Sequence, residues 1–160
     1  MIRYSIAIID DDSFLREGIM ASLKGDYLIV GFPEAESAIE GMENNVPDLL
    51  LLDINLPGMS GMEALKRIKG LYPDILIVMI TGMSDIDTVI SAMKLGAYDY
   101  VVKPIHMESL EVTIQNAFQT IKLRKEVQAL QEKYIEENLP CFIGESHAIQ
   151  DVLSFVTMIA

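Results

Sequence analysis

Short apolar runs alternate along this chain with longer segments in which apolar residues recur at helical spacing. The short runs are predicted strands: Ser5–Ile9, Tyr27–Gly31, Asp48–Leu52, Ile75–Ile80 and Tyr98–Val102. Several of them are apolar almost throughout, which is typical of strands that are covered on both faces. The segments between them are predicted helices: Ser13–Lys24, Glu34–Glu43, Ser60–Gly70 and Asp85–Leu95.

Strands that alternate with helices of this length indicate βαβ units and therefore an α/β fold with a parallel sheet. Five units predict a doubly wound, five-stranded sheet of roughly 120 residues. Gly25, Gly70 and Gly96 stand where the helices are expected to stop. In sheets of this type, ligands bind beyond the carboxyl ends of the strands, where the strand order reverses.

The last third of the chain has a different pattern. No strong helix breaker occurs between Met107 and Glu137, which predicts one long helix. Within it, apolar residues alternate at spacings of four and three and form a heptad seam: Leu123, Val127, Leu130 and Tyr134. Charged residues flank this seam, as in a two-stranded coiled coil. Because two heptads are short for a coiled coil, a solvated linker helix is the other interpretation.

Composition narrows the classes of function. The chain has 160 residues, of which 51% are hydrophobic, so it can bury a sizeable core. No apolar run approaches the roughly 20 residues of a membrane helix, so we expect a soluble, cytoplasmic protein without membrane contact. The single cysteine, Cys141, agrees with a reducing compartment. A net charge of −12 argues against direct contact with nucleic acid, because phosphate binding requires clustered Lys and Arg.

Acidic residues stand at the ends of two predicted strands. Asp10, Asp11 and Asp12 follow the first strand, and Asp53 follows the third. Because the carboxyl ends of parallel strands meet at one edge of the sheet, these carboxylates converge and repel one another. A divalent cation removes this conflict, and magnesium combines oxygen ligands from the protein with those of a phosphate. The spacing therefore predicts a metal site at this edge.

Two further residues are expected at the same edge. Thr81 follows the fourth predicted strand and Lys103 follows the fifth. A carboxylate-bound phosphoryl group requires a hydroxyl donor and a positive charge, which these side chains supply. Each residue alone would be an ordinary turn or surface residue, and only their common placement indicates a role.

These residues carry a family resemblance. The runs IAIIDDDSFLREGI, LLLLDINLPGMSGMEAL, VMITG and AYDYVVKPI resemble the signature of receiver domains in two-component, phosphorelay signalling. The resemblance covers residues 4–121, and we assign residues 1–121 to a response regulator receiver domain with a flavodoxin-like fold. It implies a phosphoprotein that accepts a phosphoryl group as an aspartyl phosphate from a sensor histidine kinase.

The resemblance also implies roles for individual acids. Asp53 would be the phosphoacceptor. Asp10 and Asp11 would form the acidic pair that binds Mg²⁺ together with Asp53 and the backbone carbonyl of Asn55. The acidic triplet leaves a second register open, in which Asp11 and Asp12 are the pair, but the alignment of Ser13 and Arg16 with the family pattern favours Asp10 and Asp11.

A switch is implied as well. Thr81 and Tyr100 match the switch pair, Lys103 would contact the phosphoryl oxygens, and the peptide bond before Pro104 would be cis. After in-line transfer, the Thr81 hydroxyl would be drawn inward and Tyr100 would fill the space vacated. The face formed by the fourth helix, fifth strand and fifth helix would then change. Beyond magnesium-dependent self-phosphorylation and dephosphorylation, no enzymatic activity is expected.

The C-terminal stretch CFIGESHAIQDVLSFVTMIA resembles the start of the AAA+ domain in NtrC-type, sigma-54-dependent transcriptional activators. We expect residues 122–139 to be a linker helix that can pair as a coiled coil, and residues 140–160 to begin a truncated AAA+ domain. The chain has no G-x-x-x-x-G-K-[ST] loop, so no ATPase activity is expected in it. The resemblance implies a homodimer, paired through the heptad seam, that controls an ATPase and DNA-binding output in the intact protein.

Three alternatives stay open on sequence grounds. A haloacid-dehalogenase-like phosphatase would use Asp10 as its nucleophile and would leave Asp53 without a role. A flavodoxin would hold a flavin on the same sheet, but the acids after the first strand would repel its phosphate. A receiver fold could also act only as a constitutive dimerisation module.

Overall fold

A computed structural model describes residues 3–82 and 86–138. Over these residues, strands and helices alternate along the chain, as the sequence predicts. The strands are β1 (Ser5–Ile9), β2 (Leu28–Phe32), β3 (Leu49–Asp53), β4 (Leu76–Thr81) and β5 (Asp99–Val102). The helices are α1 (Ser13–Leu23), α2 (Ala35–Met42), α3 (Gly61–Leu71), α4 (Ile86–Lys94) and α5 (Met107–Asn138).

The predicted boundaries differ from these by at most one residue, and two of the differences bear on the site. Asp53 and Thr81 were expected just after their strands, whereas each is the last residue of its strand. Asp53 is still paired in register with Ile80, so the ladder continues one residue farther than the apolar run. The backbone of the sheet therefore fixes the position of Asp53.

The five strands form one parallel sheet in the order β2-β1-β3-β4-β5. The predicted doubly wound, flavodoxin-like fold is thus confirmed. Strand order reverses at β1, because β2 lies on one side of it and β3 on the other. Ile9 of β1 is paired with Leu52 of β3, so the next residues, Asp10 and Asp53, end side by side at the carboxyl edge.

The core lies on both faces of the sheet, because β3 and β4 are buried along their whole length. Residues of α2 and α3 pack on one face against alternate strand residues such as Leu50 and Leu52. The intervening residues Leu49 and Leu51 point to the opposite face and are also fully buried. Burial on two faces explains why these strands have almost no polar positions.

The predicted long helix is present as α5, which runs from Met107 to Asn138. The chain divides into two compact units between Ala117 and Phe118, within this helix. Three residues of the first turns face a core and are buried: Leu110, Ile114 and Ala117. The seam residues farther along are exposed over 48–67% of their surface: Leu123, Val127, Leu130 and Tyr134.

The expected start of an AAA+ domain at 140–160 lies outside the described residues, as does Cys141. Within the ranges that the structure describes, no helix is both long and apolar enough to cross a membrane.

Candidate phosphoryl and metal site

Asp10 and Asp53 lie together at the carboxyl edge of the sheet, where the register of β1 and β3 places them. Both residues are buried: Asp10 is completely inaccessible to solvent, and 2% of the surface of Asp53 is exposed. Asp10 Oδ1 accepts a hydrogen bond from the Asp12 amide at 2.9 Å, and Asp53 Oδ1 accepts one from the Asn55 amide at 3.2 Å. In both cases the backbone just beyond the strand turns back onto the carboxylate and fixes its orientation.

Asp11 joins this pair, and Asp12 does not. Carboxylate oxygens of Asp10, Asp11 and Asp53 all lie within 4.8 Å of one another. The Asp12 side chain is the N-cap of α1, where it accepts hydrogen bonds from the amides of Phe14 and Leu15 at 3.0 and 3.2 Å. Of the two registers that the triplet left open, the geometry therefore favours Asp10 and Asp11 as the pair beside Asp53.

Lys103 supplies the positive charge of the site. Its Nζ lies 3.2 Å from Oδ2 of Asp10 and 3.2 Å from Oδ2 of Asp53. The Lys103 amide donates to the Thr81 carbonyl at 2.7 Å, which holds the residue beside the end of β4, and the following peptide bond to Pro104 is cis. Burial alone would lower the pKa of Lys103, but the two carboxylates outweigh burial and raise it. The ammonium therefore stays charged at neutral pH.

One ammonium does not balance three carboxylates. Burial and the negative charge of Asp10 raise the pKa of Asp53 above its ordinary value, despite the hydrogen bond from Asn55 and the charge of Lys103. In addition, Oδ2 of Asp10 is buried and has no well-formed hydrogen bond from the described residues, and its contact is the 3.2 Å ion pair with Lys103. Buried carboxylate oxygens in this state fit a hard cation with oxygen ligands.

The remaining predicted residues lie at or near the same edge. Thr81 ends β4 and is buried to within 4%. Asn55 is exposed and follows Asp53 by two residues, with its amide on the Asp53 carboxylate. Tyr100 lies two residues before the end of β5, opposite Met79, and 44% of its surface is exposed. The structure thus brings Thr81 and Lys103 to the end of the sheet and leaves Tyr100 on the outside of β5.

Gly61, the first residue of α3, is a site residue that sequence reasoning missed. A Cβ atom at this position would collide with the backbone carbonyl oxygen of Asp53 and would lie 2.5 Å from Ile54 Cα. Its amide donates to the Ile54 carbonyl at 2.9 Å. Only glycine lets α3 begin this close to the end of β3. The glycine was visible in the run MSGMEAL, but no periodicity or spacing marks such a close approach.

Arg16 is a second residue of this kind. Its Nη1 donates to the backbone carbonyl of Asp10 at 2.6 Å. Its aliphatic stem covers β2 at Gly31, where an added Cβ would lie 2.9 Å from Arg16 Cδ. Arg16 therefore fixes the backbone that carries Asp10 without contributing a group to the carboxylate cluster.

A doubly wound parallel sheet with three clustered carboxylates and a lysine at its carboxyl edge is the arrangement expected of an α/β signalling domain of the receiver type. The chain belongs to the response regulator receiver domain family, whose match covers residues 6–115. This assignment overturns the dehalogenase-like and flavodoxin alternatives, and it confirms the receiver resemblance.

Several relatives show the same relationship. The chain is 38% identical over 128 residues to the luminescence regulatory protein LuxO of Vibrio campbellii, covering 79% of this chain and 27% of that protein. It is 33% identical over 159 residues to the DNA-binding transcriptional regulator NtrC of Escherichia coli K12, covering 98% of this chain and 33% of that protein. The chain thus spans a third or less of the length of these curated relatives.

A solved structure agrees with the sequence comparisons. The crystal structure of NtrX from Brucella abortus in complex with ADP superimposes with a TM-score of 0.76 and 32% sequence identity. The match covers 81% of this chain and 30% of NtrX. The likeness therefore extends to a receiver domain within a longer regulator.

Proposed function

We propose that Asp53 is the phosphoryl acceptor of this receiver domain, with a sensor histidine kinase as donor and Mg²⁺ as cofactor. The observation that carries the proposal is the Asp53 carboxylate itself. It ends a buried strand, lies 3.2 Å from the Lys103 ammonium, and is clustered with Asp10 and Asp11. A carboxylate in this position can attack phosphorus with one oxygen while the adjacent Lys103 ammonium stabilises the negative charge that develops.

The metal would be held by the carboxylates of Asp10, Asp11 and Asp53 and by the backbone carbonyl of Asn55. When bound, magnesium would neutralise charge on the phosphoryl oxygens and position them for in-line transfer. The residues present fit this ion, because the Oδ2 atom of Asp10 is buried without a hydrogen bond from the described residues. The excess negative charge of the three carboxylates also favours binding of a divalent cation.

The transfer exchanges one bond to phosphorus for another. An Asp53 carboxylate oxygen forms a bond to phosphorus as the phosphorus–nitrogen bond of the phosphohistidine breaks, and the imidazole leaves with that electron pair. Lys103 offsets the charge on the transferred group, and the Thr81 hydroxyl donates to one of its oxygens. Tyr100 then moves from its exposed position toward the space that Thr81 leaves. Hydrolysis of the aspartyl phosphate resets the domain; no ATP hydrolysis is proposed for this chain.

The output we propose is a change in self-association of a homodimer in the cytoplasm. The exposed heptad seam of α5 and the face formed by α4, β5 and α5 are its proposed contact surfaces. In the intact protein, this change would control a sigma-54-activating ATPase and DNA-binding output. The relative named as a DNA-binding transcriptional regulator supports that proposal, although residues 1–160 themselves would make no direct contact with nucleic acid.

Mass spectrometry after treatment with acetyl phosphate and Mg²⁺ tests the acceptor. We expect one phosphoryl group on Asp53 and none in Asp53→Asn. Label on Asp10, or persistent labelling of the Asp53→Asn variant, would overturn the assignment.

Sedimentation with and without beryllofluoride and Mg²⁺ tests the output. The average mass of the wild type should change on addition of beryllofluoride, and that of Asp53→Asn should not. Leu130→Glu, on the seam, should abolish the dimeric species, whereas Ala129→Glu, exposed but off the seam, should preserve it. If the mass of the wild type did not change, the switch hypothesis would be wrong, and the domain would act only as a constitutive dimerisation module.

A further inference from the structure

We propose that Glu36 is a positioning residue for the metal and phosphoryl site, because it holds the loop that follows Asp53. This β3–α3 loop comprises residues 54–60. The inference rests on the proposed function of Asp53 and assigns to that site a residue from a different part of the chain. Glu36 stands in the first turn of α2, which packs on one face of the sheet and contributes no group to the carboxylate cluster.

The contact is specific. Glu36 Oε1 accepts a hydrogen bond of 2.8 Å from the Met59 amide, 23 residues away in the chain. At Gly58 the backbone has a φ of +71°, and a Cβ there would lie 2.9 Å from the same oxygen. The loop backbone therefore closes tightly onto the carboxylate, and glycine is required at the turn that lets it do so.

The charge state of Glu36 suits this contact. Hydrogen bonds from its own amide and from the Met59 amide, together with the positive charge of Arg67, lower the pKa of Glu36 despite some desolvation. An ionised oxygen makes a stronger acceptor for a backbone N–H than a neutral one. The position in the first turn of a helix favours negative charge as well.

The loop is attached at its base and near its far end, and the proposed metal ligand lies between these attachments. At its base, the Ile54 amide donates to the Ile80 carbonyl and the Gly61 amide to the Ile54 carbonyl, each at 2.9 Å. At its far end, Met59 is attached to Glu36. Asn55, whose carbonyl is the proposed ligand, stands in the loop between the two. The Asn55 amide is also held by the Asp53 carboxylate at 3.2 Å, so loss of the Glu36 contact would loosen the loop around this carbonyl without freeing it completely.

Three variants separate positioning from general stability. Glu36→Ala removes the acceptor, Glu36→Gln keeps an oxygen that can accept from Met59, and Glu40→Ala changes an exposed glutamate of the same helix. In the full chain, Mg²⁺ binding is measured by calorimetry and by the amide resonance of Asn55. Exchange of the Met59 amide with solvent is measured without metal.

We expect Glu36→Ala to raise the Kd for Mg²⁺ measurably, but by less than the roughly tenfold effect usual for direct partners of metal ligands. The hydrogen bond is exposed and is made to Met59 rather than to Asn55 itself. Met59 amide exchange should accelerate in Glu36→Ala alone. Glu36→Gln should recover most of the affinity, and Glu40→Ala should match the wild type. The rate of phosphorylation by acetyl phosphate should fall at limiting Mg²⁺ and recover at saturating Mg²⁺.

An unchanged Kd in Glu36→Ala, or an equal loss in Glu40→Ala, would overturn the inference. A phosphorylation defect that saturating Mg²⁺ does not repair would also overturn it. If the wild type itself neither binds Mg²⁺ nor accepts a phosphoryl group, the proposed function fails instead, and the two failures are thereby distinguished.

Discussion

The Lys103 ammonium lies 3.2 Å from Oδ2 of Asp53, a residue 50 positions earlier in the chain. Lys103 lies equally close to Oδ2 of Asp10, so one cation is shared by two buried carboxylates. With Asp11 in the same cluster, the site retains more negative charge than its own lysine can balance. The metal-free fold therefore carries an electrostatic cost at the residues proposed for its chemistry.

Asp53→Asn should stabilise the metal-free protein at neutral pH. The folded-state pKa of Asp53 lies above its ordinary value of 3.8, so the wild type loses stability as pH rises through that folded pKa. Removal of this charge should raise the free energy of unfolding by about 1–3 kcal/mol near pH 7, since Lys103 keeps Asp10 as partner. The gain should vanish as pH falls below 3.8.

Urea denaturation across this pH range, with chelator present, measures the effect. Addition of Mg²⁺ should stabilise the wild type more than Asp53→Asn. A variant that is less stable than the wild type near pH 7 would contradict the charge argument.

Lys103→Met should have the opposite effect. The pKa of Lys103 is raised by Asp53 and Asp10, so its stabilising charge is present below 10.5 and is lost only as pH rises through the still higher folded value. Because the side chain is 26% exposed, screening reduces the expected loss to about 1–3 kcal/mol near pH 7. The loss should diminish in acid, where the carboxylates are protonated.

Thermal or urea unfolding with and without Mg²⁺ checks this prediction. The metal should restore more stability to Lys103→Met than it adds to the wild type, because it replaces part of the missing charge. Lys66→Met, an exposed lysine of α3, is the matched control and should change stability little. Equal losses in both variants would show that the effect is not specific to the carboxylates.

The sequence predicts those parts of the fold in which apolar residues follow the regular pattern of a strand or a helix. Leu49–Leu52 is apolar at every position because β3 is covered on both faces, so its existence and its place in a parallel sheet could be read directly. From that sheet, the convergence of Asp10 and Asp53 follows, since parallel strands end at one edge. The cluster was therefore predictable without coordinates.

Contacts made by residues outside any regular apolar pattern could not be predicted from that pattern. The three consecutive acids are chemically identical, so their residue types leave the register open and only the family resemblance favoured Asp10 and Asp11. The backbone after Ile9 agrees with it, because Asp12 caps α1 while Asp11 lies with Asp53. The approach of Gly61 to the Asp53 carbonyl and the contact of Glu36 with Met59 depend on the path of one loop. No hydrophobic pattern records the path of a loop, because its residues are placed by single hydrogen bonds.

Asp11→Ala and Asp12→Ala should separate these two roles. Loss of the cap in Asp12→Ala removes the acceptor for the amides of Phe14 and Leu15 and should cost about 1 kcal/mol of stability. Its affinity for Mg²⁺ should stay within a factor of about two. Asp11→Ala should alter stability by less than about 0.5 kcal/mol, since the residue is exposed, yet weaken Mg²⁺ binding by about tenfold or more.

Calorimetric titration with Mg²⁺ and urea denaturation of both variants give the two readouts. A reversed pattern, with metal affinity lost in Asp12→Ala and retained in Asp11→Ala, would restore the second register of the acidic triplet.

Gly61→Ala should damage both stability and the site, and Gly70→Ala is its internal control. Both residues lie in α3, where alanine is intrinsically favoured over glycine by about 0.5–1 kcal/mol. A Cβ at Gly70 meets nothing within 4 Å, so Gly70→Ala should gain that amount. A Cβ at Gly61 collides with the Asp53 carbonyl, which belongs to a strand that cannot yield, so we expect a net loss of about 1–3 kcal/mol. Displacement of β3 should also slow phosphorylation by acetyl phosphate, even at saturating Mg²⁺. A variant that only weakens metal binding would recover its rate under that condition. Equal stability of the two variants would mean that α3 can shift away from Asp53 without cost, and that Gly61 does not determine the geometry of the acceptor.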